Sequence, residues 1–169
     1  VDGVGYLPPA RQQLFLLPTA GGKAEQVTHS SFAIDSPLEW LPDSSGLLFS
    51  ANLKSNVNKP WDTDVVRADI RTGQLTALTS QTGPDQMPRI SPDGKRLAWL
   101  GHADQPSVYH EYELYTANVD GSEVETVPLN SDYGVVHFAW HPDGERYYVQ
   151  YEERGRSVLA LLSSDGSVS

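Results

Sequence analysis

The sequence predicts an all-β fold: a partial β-propeller of four-stranded antiparallel blades, with about three and a half blades in the chain. Three observations carry this. Leu41-Pro42-Asp43-Ser44-Ser45-Gly46-Leu47-Leu48-Phe49 is answered by Ser91-Pro92-Asp93-Gly94-Lys95-Arg96-Leu97-Ala98-Trp99 and by His141-Pro142-Asp143-Gly144-Glu145-Arg146-Tyr147-Tyr148-Val149, with the prolines evenly stepped at fifty residues. A second landmark, the hairpin glycines Gly22, Gly73, Gly121 and Gly166, keeps nearly the same period. No stretch shows helical periodicity. A fixed period in this range, built from turn-separated strands, is the signature of a radial β-repeat.

The units divide at about 1–30, 31–80, 81–130 and 131–169, one partial propeller across 1–169. In the first, Val4–Leu7, Gln13–Leu17 and Glu25–Thr28 read as strands, separated by Pro8-Pro9 and Gly21-Gly22. The second is complete, with strands at Pro37–Trp40, Leu47–Asn52, Asp64–Ile70 and Leu75–Thr79. The third repeats the plan at Met87–Ile90, Arg96–Gly101, Glu111–Val119 and Val124–Leu129. The fourth offers Val135–Trp140, Tyr147–Tyr151 and Ser157–Leu162 and then turns at Asp165-Gly166.

The repeated turn has a physical reason. Proline presets φ near −65°, aspartate bonds the backbone ahead of it, and glycine accepts positive φ. The turn residues so identified are Pro42, Asp43, Gly46, Pro92, Asp93, Gly94, Pro142, Asp143 and Gly144. The first copy, with Ser44-Ser45-Gly46, is expected to be looser. Asp35 and Asp85, also fifty apart, precede the first strands of their units and are expected to bond backbone amides at the blade joints.

Composition narrows the function. Twelve basic against 22 acidic residues give a net charge of −10, which excludes a nucleic-acid surface. No cysteine is present, so disulfides, thiolate metal sites and a cysteine nucleophile are excluded. No run approaches 18 apolar residues, so no membrane span is expected; a cytoplasmic location is the expectation, with a periplasmic or secreted one as the alternative if a signal peptide lies upstream. At forty to fifty residues per blade, a chain of 169 residues is expected to be a segment of a larger protein.

Catalytic machinery is not legible. No Gly-x-Ser-x-Gly occurs, so there is no nucleophile elbow, and no catalytic residue is assigned. His29, His102, His110, His137 and His141 show no metal-ligand spacing, so no metal and no cofactor are assigned. His137 and His141 are read as capping strand ends. Two long loops between second and third strands, 53–62 and 102–109, carry Trp61 and Tyr109 at their tips. These rings, and the paired Glu152 and Glu153 in a charged hairpin, are the candidate binding residues, the glutamates for a cationic group.

At Ile90–Trp99, Trp140–Arg146 and Glu113–Gly121 the chain resembles the propeller repeats shared by TolB-like proteins and the N-terminal domain of prolyl-oligopeptidase-family serine peptidases. The fifty-residue step and the long loop from Gly101 to Leu114 resemble the acylaminoacyl-peptidase or dipeptidyl-peptidase-like branch. The resemblance implies a non-catalytic propeller that covers an α/β-hydrolase domain outside this chain and admits only peptides. It also implies partners: further blades, the hydrolase domain and peptide substrates. The alternative is a TolB-like module that binds proteins and catalyses nothing. A metal-bearing propeller enzyme is a third reading, with little support from the histidine spacing. Unpaired strand edges at both ends are expected to invite pairing between copies.

Overall fold

The computed structural model describes residues 12–32, 34–54, 58–104, 110–129 and 134–169. The expected strand at Val4–Leu7 and the loop residue Tyr109 lie outside them. Among the described residues there is no helix, and so none long and apolar enough to cross a membrane. The thirteen strands form four separate antiparallel sheets, which fan out as a partial β-propeller.

Strands β1 (Phe15–Leu16) and β2 (Glu25–Gln26) make a two-stranded sheet. The first complete blade is β3 (Ile34–Trp40), β4 (Gly46–Ala51), β5 (Asp64–Asp69) and β6 (Leu75–Ala77). The next is β7 (Asp85–Ile90), β8 (Arg96–Gly101), β9 (Glu113–Asn118) and β10 (Glu125–Val127). The last sheet has β11 (Val135–Trp140), β12 (Arg146–Glu153) and β13 (Arg156–Ser163). Each sheet is a simple meander in chain order. A bridge between Leu162 and Val168 begins a fourth strand beside β13.

The outer strands are shorter than the sequence implied because threonine side chains take over the ladder. The Leu14 amide donates to the Thr28 hydroxyl, and the Val65 amide donates to the Thr79 hydroxyl. In both blades the main-chain bond one step inward survives, from Val27 to Leu14 and from Leu78 to Val65. The same chemistry therefore ends two successive blades in the same way.

The turns between first and second strands match across all three copies. The amides of Ser44, Gly94 and Gly144 donate to the carbonyls of Leu41, Ser91 and His141. The carboxylates of Asp43, Asp93 and Asp143 accept from the amides of Ser45, Lys95 and Glu145. Gly94 and Gly144 take φ of +76° and +75°, as expected. In the first copy Ser44 occupies that left-handed position at φ +58°, so the turn is closed like the others. Gly46, read from sequence as a turn residue, is instead the first residue of β4, where a Cβ would meet the Ala68 carbonyl oxygen at 2.4 Å.

Alternate residues of β4 and β8 serve two different cores, as the pleat requires, while β12 turns Tyr147, Val149 and Tyr151 to one. Leu47, Phe49 and Ala51 face Leu14 and Val27 of the first sheet. Leu48, with Leu41 and Val65, faces Leu97, Trp99 and Ala117 of the next blade. Ala98 and Leu100 then face Tyr147, Val149 and Leu162 of the last. The blades are therefore cemented face to face by three apolar layers, and no core is confined to one blade. Neighbouring first strands are also tied near the axis: Arg89 lies 3.7 Å from Glu39, and the Trp140 indole donates to the Arg89 carbonyl.

Candidate functional site: the loop face

Because the strands run antiparallel, each second strand joins two ends of the wedge. Strand β4 leaves the turn at 41–45 and enters the loop at 52–63. The Pro-Asp-Gly turns thus lie on one face, and the long loops lie on the other with the joints between blades. At the two later joints a main-chain bond crosses between sheets, from the Asp85 amide to the Thr63 carbonyl and from the Val135 amide to the Tyr112 carbonyl.

The joint of the two complete blades buries carboxylates. Asp62 accepts from the Gly83 amide, and the Lys54 ammonium lies 3.5 Å from Asp62 and 3.8 Å from Asp64. Asp85 is 0% exposed, and its Oδ1 accepts from the Trp99 indole at 2.9 Å and from Gln81 at 2.6 Å. The sequence reading expected backbone amides here. The structure corrects it, because the inward-turned carboxyl meets side-chain donors from β8 and the preceding loop. Gly101 makes room for it, since a Cβ there would lie 2.4 Å from Asp85 Oδ1. Burial pushes the Asp85 and Asp64 carboxyls up from their ordinary value, Asp64 with the charges of Asp85 and Asp62 adding to the effect.

Three clefts open side by side on this face. One, about 340 Å³, is lined by Ser50, Pro60, Trp61, Thr63, Pro84, Gln86 and Tyr112. The second, about 300 Å³, shares Gln86 and Tyr112 and is edged by His110, Glu111 and Glu152. The third, about 480 Å³, continues past Tyr112 along His102, Glu111 and Glu113. Tyr112 is common to all three and stands at their centre. Burial pushes its phenol up from the ordinary value, with Gln86 beside it acting in the other direction.

The bulge in β7 lies beside these clefts. Its register with β8 shifts between Gln86 and Arg89, and Met87 adopts φ +56°. A side chain other than glycine in that region costs energy and marks a site where the fold over-determines the backbone. Similar shifts occur in β3 and β11, so an irregular first strand is a property of every described blade.

The candidate residues divide. Trp61 is 51% exposed and forms a wall of the first cleft, and Glu152 edges the second. Glu153 lies opposite Arg156 in the tight hairpin and lines none of the three. His102 and His110 stack with ring centres 4.5 Å apart, and His102 meets Tyr112 at 5.2 Å. His141 Nδ1 lies 3.0 Å from Asp143 and steadies the turn, whereas His137 sits within β11 opposite Gln150 and caps no strand end. Among the described residues no group of three or more acidic, histidine or cysteine side chains is placed to hold a metal ion. Sequence reasoning missed Ser50, Gln86, Glu111 and Tyr112 as cleft residues: Ser50 lies in β4, Gln86 in β7, and Glu111 and Tyr112 in the loop before β9, with no shared spacing rule.

No family profile matches the chain. Dipeptidyl-peptidase 5 of Porphyromonas gingivalis is 24% identical over 133 residues, which cover 76% of this chain and 19% of that protein. TolB from Acinetobacter baumannii superposes with a TM-score of 0.71 at 23% identity, over 95% of this chain and 37% of its own. Puromycin hydrolase gives 0.70 at 21% identity, over 94% and 27%. These neighbours are TolB-like propellers and peptidase chains, the two kinds the repeated phrases resemble. At such identities the likeness establishes the propeller fold. The chain spans well under half the length of each of these proteins.

Proposed function

We propose that residues 1–169 form one segment of a larger propeller, a non-catalytic part of a cytoplasmic serine peptidase that gates peptide substrates to an α/β-hydrolase domain outside it. The observation that carries this reading is the match to a dipeptidyl-peptidase across 76% of the chain. The physical mechanism is exclusion. Apolar layers lock the blades into a stiff wedge, and a stiff cover over a dry active site passes only chains thin enough to enter. The acylaminoacyl-peptidase or dipeptidyl-peptidase-like branch is the finer form of this proposal.

The test uses the full reading frame that contains this segment. It is expected to encode an α/β-hydrolase domain, to cleave short peptides and to spare folded proteins, while the 169-residue chain alone cleaves nothing. A reading frame without that domain overturns the proposal. The second reading, a TolB-like binding module without activity, draws on the equally good superposition with TolB. A parent chain that ends with the propeller and captures protein partners favours it.

A further inference from the structure

We propose that the cleft between Trp61 and Tyr112, with the adjoining one edged by Glu111 and Glu152, is a docking site for an extended peptide carrying a basic side chain next to an aromatic one. The inference rests on the proposed role in admitting peptides, and it names the face they meet and their class.

Four observations converge. The first cleft is lined by rings: the exposed Trp61 indole, Tyr112, Pro60 and Pro84. A cleft of about 340 Å³ lined this way suits one planar apolar side chain. Ser50 also lines the cleft. The residue is 3% exposed, and its Oγ has no hydrogen-bond partner among the described residues. Buried hydroxyls are ordinarily satisfied, so an orphan beside a cleft marks the place of a missing partner, here a peptide N–H or C=O.

The third observation is charge. Glu111 and Glu152 edge the neighbouring cleft, and among the described residues neither forms an ion pair. Of the nearby cations, Lys59 pairs with Asp104 and Lys54 with Asp62 and Asp64, while Arg154 and Arg156 lie in the same hairpin as Glu152. Glu111 and Glu152 thus add negative charge at this cleft, on a chain whose net charge is −10. The fourth is spacing. The two clefts share Gln86 and Tyr112, so neighbouring side chains of one extended ligand can occupy both. A basic group above Trp61 also gains from the ring face.

The test measures binding to the 169-residue chain by calorimetry and by Trp61 fluorescence, with W61F identifying that signal among the four tryptophans. The probes are capped hexapeptides Gly-Ala-X-Phe-Ala-Gly with X as Arg, Ala or Glu. The arginine probe is expected to bind about tenfold more tightly than the glutamate probe, and salt should erode the difference. The double variant E111Q/E152Q should reduce that preference to about twofold or less. W61A should weaken all three probes, and rings supplied on the peptide should matter, so Phe replaced by Ala weakens binding to the native chain.

S50A separates docking from folding. Removing an unsatisfied buried hydroxyl should leave the unfolding midpoint equal or raised, yet weaken the arginine probe about fivefold. Equal affinity for the three probes, no binding at all, or tighter binding of maltotriose than of the arginine peptide overturns the inference. Probe binding is read apart from cleavage. Lost binding with an active parent peptidase sinks the docking site alone, and binding by a chain whose parent lacks a hydrolase sinks the proposed function alone.

Discussion

Two aspartates in this chain respond to acid in opposite directions, and the reason is what each carboxyl touches. Asp143 sits at a turn, where the amide of Glu145 and the side chains of Arg146 and His141 hold its carboxyl well below the ordinary range. A group depressed in the folded state adds stability above its unfolded pKa and loses it as pH falls. D143A should therefore lower the unfolding midpoint at pH 7, with the gap closing as acid is added. Asp85 is buried, and its carboxyl is raised above the ordinary 3.8. Its proton is bound more tightly in the folded chain, so the stability it contributes is present below 3.8 and fades as pH rises. D85N keeps an acceptor for Trp99 and Gln81 without the charge, and should gain on the native chain as pH rises from about 4 to 7. Denaturant titrations of the three chains at several pH values check both signs. A gap between D85N and the native chain that does not move with pH would show that burial does not govern this carboxyl.

At the scale of the element, the turns were the most legible part of the molecule. Their residues act locally: proline, aspartate and glycine set the backbone over four positions, so a fixed spelling gives a fixed shape. What lay beyond local chemistry was hidden. Gly46 relieving a close carbonyl and Gly101 clearing space for Asp85 both depend on a neighbouring strand. The shortened outer strands did carry a signal, since Thr28 and Thr79 repeat at the same step as Gly22 and Gly73. The clefts carried none, because their walls are assembled from several strands and the loops between them. Trp61 and Glu152 were visible only as residue types in projecting positions. The turns also offer a comparison. A Cβ on Gly94 would lie 2.9 Å from Pro42 Cγ, whereas one on Gly144 would clear Pro92 by 3.9 Å. Both positions have positive φ, so each alanine variant carries a backbone cost of about 1–2 kcal/mol. G94A should exceed G144A through the added crowding, as read from their unfolding midpoints. Equal losses would mean that Pro42 yields freely.

The whole molecule is a wedge with two unequal kinds of surface. Inside, every sheet face is matched by the next sheet. At the ends the matching stops. On the last sheet Tyr148, 42% exposed, and Leu159, 76% exposed, stand on the side away from the preceding blade. Tyr148 occupies the place in the repeat held by buried Leu48 and Ala98. On the first sheet Phe15 and Leu17 are likewise exposed. Apolar faces of this kind promote association when nothing covers them. The 169-residue chain should therefore self-associate as its concentration rises, and Y148E/L159E should shift it toward the monomer in sedimentation equilibrium. A native chain that stays monomeric throughout would show these faces to be inert.

The double duty of β4 and β8 sets where this protein tolerates changes in length. Deleting one residue inside β4 would rotate every later side chain of that strand by half a pleat, sending Phe49 toward one neighbour and a polar serine toward the other. Two interfaces would fail from a single lesion. Spliced or shuffled versions must therefore keep β4 and β8 intact and confine their gains and losses to the connecting loops, where an added residue disturbs no register.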